Sequence, residues 1–179
     1  RTPDCFLKAL YKLINEEPEI KDNIEVRFIG TFNEGYKRLF KCSKFNKIIT
    51  IKEYVNYRQS LLYQIDSDIL LLIINESVNE SGKQVYTGKI FEYIRAGKQI
   101  LALVPPKGVA AELIKSENLG IVVSPEDVEA IKNAILKLYQ RHKEGNLKIT
   151  LNRDLLKRFN RKELTKDLVN CFNKVVQKR

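Results

Sequence analysis

The chain has 179 residues, of which 44% are hydrophobic and 30% charged, a length that suits one domain with a sizeable buried core. Its longest apolar run, residues 69–74, is far short of the roughly 20 residues a membrane-spanning helix needs, and no basic-then-apolar leader opens it. Lys and Arg exceed Asp and Glu by 32 to 22, a net charge of +10 spread along the chain, which reads as a solvated basic surface or one facing an anionic partner.

The first helix is expected from Thr2-Pro3-Asp4, with Thr2 as cap, Pro3 in the first helical position and Asp4 complementing the dipole. Phe6, Leu7, Leu10, Leu13 and Ile14 recur at helical spacing, and Pro18 ends the pattern. A strand follows at residues 24–29, a short helix at 33–41, a strand at 47–52 and another short helix at 56–64. Residues 68–74 are almost wholly apolar, as a central parallel strand buried on both faces should be. A polar loop, 75–86, leads to a helix at 88–96 that Gly97 stops. Then come a strand at 99–104, a helix at 108–117 and a strand at 119–123. Ser124-Pro125-Glu126-Asp127 signals a helix start with Ser124 as cap, and Val128, Ile131, Ile135, Leu138 and Tyr139 form that helix's apolar stripe. Two more helices are expected at 152–159 and 162–176.

Strands alternate with helices throughout, so the expected fold is α/β, a parallel sheet of five strands with helices on both faces. The chain opens on a helix, which in this order normally follows a strand, and it contains no Met. The expectation is a segment of a longer polypeptide, with one further strand ahead of Arg1.

In open parallel sheets ligands bind at the carboxyl ends of the strands, so attention falls on the loop after the strand taken as most buried, 68–74. It leads into Thr87-Gly88-Lys89 at a helix start, where free backbone N–H groups and the dipole favour an anion. Gly88 lets a phosphate approach the backbone, Thr87 can cap or donate to it, and Lys89 opposes the dipole unless an anion is bound. Glu92 lies one turn on, on the face of Gly88 and opposite Ile90, Phe91 and Ile94. There it either accepts from a ribose diol or pairs with Lys89 at three-residue spacing, and local pattern leaves both open.

The run Thr87-Gly88-Lys89-Ile90-Phe91-Glu92-Tyr93-Ile94-Arg95-Ala96-Gly97-Lys98 resembles the motif of group 1 glycosyltransferases that runs from Lys through two apolar residues and Glu to Gly and a basic residue. Tyr54-Val55-Asn56-Tyr57 with Ser67-Asp68-Ile69-Leu70-Leu71, Leu119-Gly120-Ile121-Val122-Val123 with Pro125-Glu126-Asp127, and residues 1–10 resemble further segments of that family in the same order. The resemblance implies the C-terminal half of a GT-B fold: a Rossmann-like, three-layer parallel sheet covering residues 1–179 as one donor-binding domain. The implied activity is metal-independent, retaining transfer of a sugar from a nucleotide diphospho-sugar, which is a substrate, with no cofactor. It implies that Glu92 holds the ribose, that Gly88, Lys89 and Arg1 meet the diphosphate, and that the region of Tyr54, Val55 and Tyr57 reads the nucleobase. The family's first acid of its E-x7-E motif falls at Gln84, which offers no carboxylate but can still hydrogen-bond a sugar hydroxyl.

The expected partners are the donor and an N-terminal acceptor domain of the same protein, toward which the last helix, residues 161–179, packs unless its apolar face is ordinary core. Peripheral contact with an anionic membrane surface also fits the charge, and no nucleic acid is expected. Cys5, Cys42 and Cys171 form no C-x-x-C pair, so the expected setting is cytoplasmic. His142, the one histidine, reads as a surface residue, and Asp66 and Asp68 read as boundary residues, not a metal pair. Two alternatives stand beside the transferase: a non-catalytic α/β binding or regulatory module, and a sugar-nucleotide epimerase of the same architecture.

Overall fold

The computed structural model describes residues 2–40, 45, 47–74, 84 and 86–176. Helix α1 (Asp4–Glu16) and a 3-10 turn (Pro18–Asp22) lead into strand β1 (Val26–Ile29). Then follow α2 (Glu34–Phe40), β2 (Ile49–Lys52), α3 (Tyr57–Asp66), β3 (Ile69–Ile73), α4 (Gly88–Ala96) and β4 (Gln99–Leu103). The chain continues through α5 (Val109–Ser116), β5 (Gly120–Val123) and α6 (Val128–Lys143) to α7 (Arg153–Arg158) and α8 (Arg161–Val176).

The fold is α/β with parallel strands flanked by helices, and the strands form two small sheets. β1 pairs with β2 in one, Val26 opposite Ile49, and the other has the order β3-β4-β5, Leu70 opposite Ile100 and Ile100 opposite Gly120. Two apolar clusters hold the helices to the strands. One gathers α1, α2 and α6 over Val26, Phe28, Ile69, Leu71, Leu101 and Leu103. The other gathers α4, α5 and Leu155 of α7 over Leu70, Leu72, Ile100 and Ala102. Side chains alternate along the strands, so β3, β4 and β5 each feed both clusters, while β1 and β2 contribute to the first.

Three expectations need correction. The most buried strand is β4, whose five residues are all buried, whereas β3 alternates between buried and half-buried. The reason is position: β4 has a strand on each edge and β3 has one on one edge only. Thr2 does not cap α1; Pro3 occupies that place and no side chain caps the helix. Nor does Ser124 cap α6: residues 124–127 make a turn closed by the Asp127 N–H on the Ser124 carbonyl, and the Asp127 carboxylate caps the helix by accepting from the Ala130 N–H at 2.9 Å.

Gly97 ends α4 as expected, with φ +68°, a left-handed backbone that a side chain would strain. The apolar face of α8 is not ordinary core: α8 has no buried residue, and Leu164, Leu168, Val169, Phe172, Val175 and Val176 are exposed. Among the described residues no helix is long and apolar enough to cross a membrane. Cys5 and Cys171 are free thiols, and Cys42 lies outside the described residues.

Candidate functional site

α4 connects two parallel neighbours, β3 and β4, so it must run back against them and start at their carboxyl ends. Ile90 and Ile94 are fully buried under the sheet, with Tyr93 beside them, and the Tyr93 hydroxyl donates to the Leu71 carbonyl at 3.3 Å. These anchors fix the helix and present residues 87–89 at the edge where ligands of parallel sheets bind.

The tip itself is open. Thr87 has extended backbone, φ −89° and ψ 146°, and precedes the first turn without a side-chain capping bond. It is only 6% exposed, and its Oγ1 is buried without a hydrogen-bond partner among the described residues. A hydroxyl taken out of water and left unpaired costs about 1–3 kcal/mol. A Cβ built on Gly88 would meet nothing within 4 Å. No acid stands in the first turn, and among the described residues no ion pair engages Lys89. Among the described residues an exposed cation and amide donors without a backbone partner thus stand in the first turn, where the helix dipole is positive and can favour an anion, with the unpaired Thr87 hydroxyl buried next to them in the chain.

Glu92, one turn deeper, is half-buried and does not pair with Lys89. Its Oε2 accepts from Gln64 Nε2 of α3 at 2.9 Å, while Gln64 Oε1 is buried without a partner among the described residues. The carboxylate thus faces the groove between α3 and α4, with acceptor capacity beyond that one bond. Gln64 escaped the sequence reading because it sits 28 residues from Glu92 and no local spacing links them.

Tyr54 and Tyr57 are 81% and 65% exposed and Val55 is half-buried, in the segment that leaves the carboxyl end of β2. That segment is pinned by a capping box: Asn56 Oδ1 accepts from the Gln59 N–H at 2.9 Å, and Gln59 Oε1 accepts from the Asn56 N–H at 3.3 Å. Gln84 is exposed, and Arg1 lies outside the described residues.

At the opposite end of the strands, Arg27 of β1 donates to Asp66 Oδ2 at 2.6 Å and to Glu25 Oε2 at 3.1 Å. The hydrogen bond from Arg27 and then its charge hold the Asp66 carboxyl below its ordinary range. Asp66 is thus a tie between β1 and the end of α3, remote from the tip of α4. No protein-family model matches this chain, and no curated protein matches it.

Proposed function

We propose that this chain is the nucleotide-sugar-binding domain of a GT-B type glycosyltransferase. It transfers a sugar from a nucleotide diphospho-sugar to an acceptor held by another domain. The observation that supports this reading most is the amide-rich start of α4, where among the described residues the Thr87 hydroxyl and Lys89 have no partner and Gly88 is unblocked. In this reading the diphosphate rests on the Gly88 and Lys89 amides and accepts from Thr87 Oγ1. The Lys89 ammonium, with Arg1, stabilises the charge that builds on the diphosphate as the anomeric C–O bond breaks, a role that needs no metal ion. Glu92 accepts from the ribose hydroxyls with the capacity its Gln64 bond leaves. The segment of Tyr54, Val55 and Tyr57 reads the base, and Gln84 bonds the sugar.

The test is a thermal-shift panel of nucleoside diphosphates and their sugars, since a ligand that binds only the folded state raises its melting temperature. At least one nucleotide is expected to stabilise the protein, and Glu92→Ala is expected to weaken that binding about tenfold, about 1.4 kcal/mol, with the fold intact. Equal affinity for both proteins would remove the ribose role. The Gln64–Glu92 bond supports a second reading, in which Glu92 ties α3 to α4 in a non-catalytic binding module. Glu92→Ala would then lower stability and leave any nucleotide affinity unchanged.

A further inference from the structure

We propose that the space between β1 and β3 is a slot for one parallel β-strand, supplied by polypeptide that leads directly into α1. The two sheets are separate hydrogen-bonded units, and β1 and β3 do not approach each other as paired strands do. Yet both line one core: Val26 and Phe28 of β1 and Ile69, Leu71 and Ile73 of β3 pack under the same helices. The Arg27–Asp66 pair joins the amino-terminal part of β1 to the end of α3 just ahead of β3.

Among the described residues, one edge of β1 and one edge of β3 are unpaired. Val26 and Gly30 donate to the Ile48 and Lys52 carbonyls, so the N–H and C=O groups of Arg27 and Ile29 point the other way. Ile74 donates to the Leu103 carbonyl, so Ile69, Leu71 and Ile73 turn away from β4. Among the described residues none of these five N–H groups bonds to another element, and the Leu71 carbonyl takes a side-chain hydroxyl in place of a ladder. Parallel strands are normally paired and covered on both faces, and unpaired backbone groups inside a fold are costly. The exposure fits: Ile69, Leu71 and Ile73 are half-buried while Leu101 and Leu103, on the same face of β4, are buried.

α1 identifies the occupant. Its first residue, Asp4, accepts from the hydroxyl of Tyr36, which sits on α2 just beyond the carboxyl end of β1. α1 therefore starts at the carboxyl end of the strands, runs to their amino end, and covers the face that spans the slot. A strand feeding α1 ends where α1 begins, so it runs parallel to both edges, as a right-handed crossover requires. With that strand in place the order would read β2-β1, the added strand, β3-β4-β5, and its carboxyl end would lie on the side of the sheet from which α4 starts. This inference does not rest on nucleotide binding.

The experiment compares amide hydrogen exchange in the 179-residue chain and in the same chain with a Val/Ile strand of about five residues and a glycine turn grafted ahead of Arg1, matched to the spacing of paired strands. In the ungrafted monomer the Ile29 and Leu71 amides are expected to exchange fast while those of Phe28 and Leu72 are slow. The graft should slow Ile29 and Leu71 at least about tenfold and raise the melting temperature. Ile29→Pro, which removes a slot-facing N–H and leaves the β2 ladder whole, should cancel that gain and cost the ungrafted chain little. Slow Ile29 and Leu71 amides in the ungrafted monomer would overturn the open slot. Protection that appears only in a dimer, by sedimentation, would make a second copy the occupant and overturn the one proposed. A folded, monomeric graft with both amides still fast would also overturn it.

Discussion

The two sheets differ in burial. β4, flanked on both edges, buries all five of its residues; β1, paired on one edge, buries none. Composition contributes, since β1 and β2 carry Arg27, Thr50 and Lys52, but β5 is apolar after Gly120 and, with one strand neighbour, also buries none, so hydrophobicity alone does not set depth. What sets it is the number of strands and helices that close around each residue. The open tip of α4 belongs to the well-buried sheet, and that sheet gives it a rigid base, with Ile90 and Ile94 locked beneath it.

The largest expected effect comes from breaking the buried sheet. Ile100→Ala should cost about 4 kcal/mol by urea unfolding, against about 1–2 kcal/mol for Ile51→Ala in β2, because only the first leaves a closed cavity. Equal costs would mean that the two sheets are equally well packed. Gly120→Ala should cost about 3 kcal/mol. A Cβ there would sit 1.9 Å from the Ile100 carbonyl oxygen, and backbone cannot step aside as a side-chain tip can. A neutral result would show that β5 stands further from β4.

Thr87→Val sharpens the comparison from the other side. It replaces a buried, unpaired hydroxyl with a methyl of the same shape, so it should raise ligand-free stability by about 1 kcal/mol while weakening diphosphate binding. A loss of stability would reveal a bond that the ligand-free protein makes.

The smallest effect concerns Asp66, which ties the two sheets at their amino ends. Its folded-state pKa lies below the ordinary range, so its contribution is present at neutral pH, above the unfolded value. That contribution is lost as pH falls through the depressed folded value. A carboxyl-carbon NMR titration should place the Asp66 midpoint below that of an ordinary aspartate, and Arg27→Gln should bring it back up. Because Asp66 is exposed, salt should weaken the link. A midpoint insensitive to Arg27→Gln would assign the shift to another cause.

Much of the fold was legible because the α/β rhythm is written locally. The apolar spacing of Phe6, Leu10 and Ile14 and the stop at Gly97 carry their own elements, and α4 begins and ends at the residues the pattern predicts. Helix starts were less legible. At Ser124-Pro125-Glu126-Asp127 two residues compete to cap, and Asp127 wins because the turn ahead of it is closed by the Ser124 carbonyl. Depth and pairing were not legible. The apolar run of β3 looks more buried than β4, because no local pattern tells which strand has a neighbour on each edge. The same holds at the site. Thr87-Gly88-Lys89 could be read as a helix start, but the partner of Glu92 could not, since Gln64 reaches it only after α3 and α4 pack.

The most direct measurement is a backbone amide NMR titration of the protein with the nucleoside diphosphate that the thermal panel selects. Saturable shifts should be largest at Gly88 and Lys89, fall off along α4, and extend to the Gln64 side-chain amide. Saturable binding that leaves Gly88 and Lys89 unmoved, or no saturable binding by any nucleoside diphosphate, would contradict the placement of the diphosphate at the start of α4.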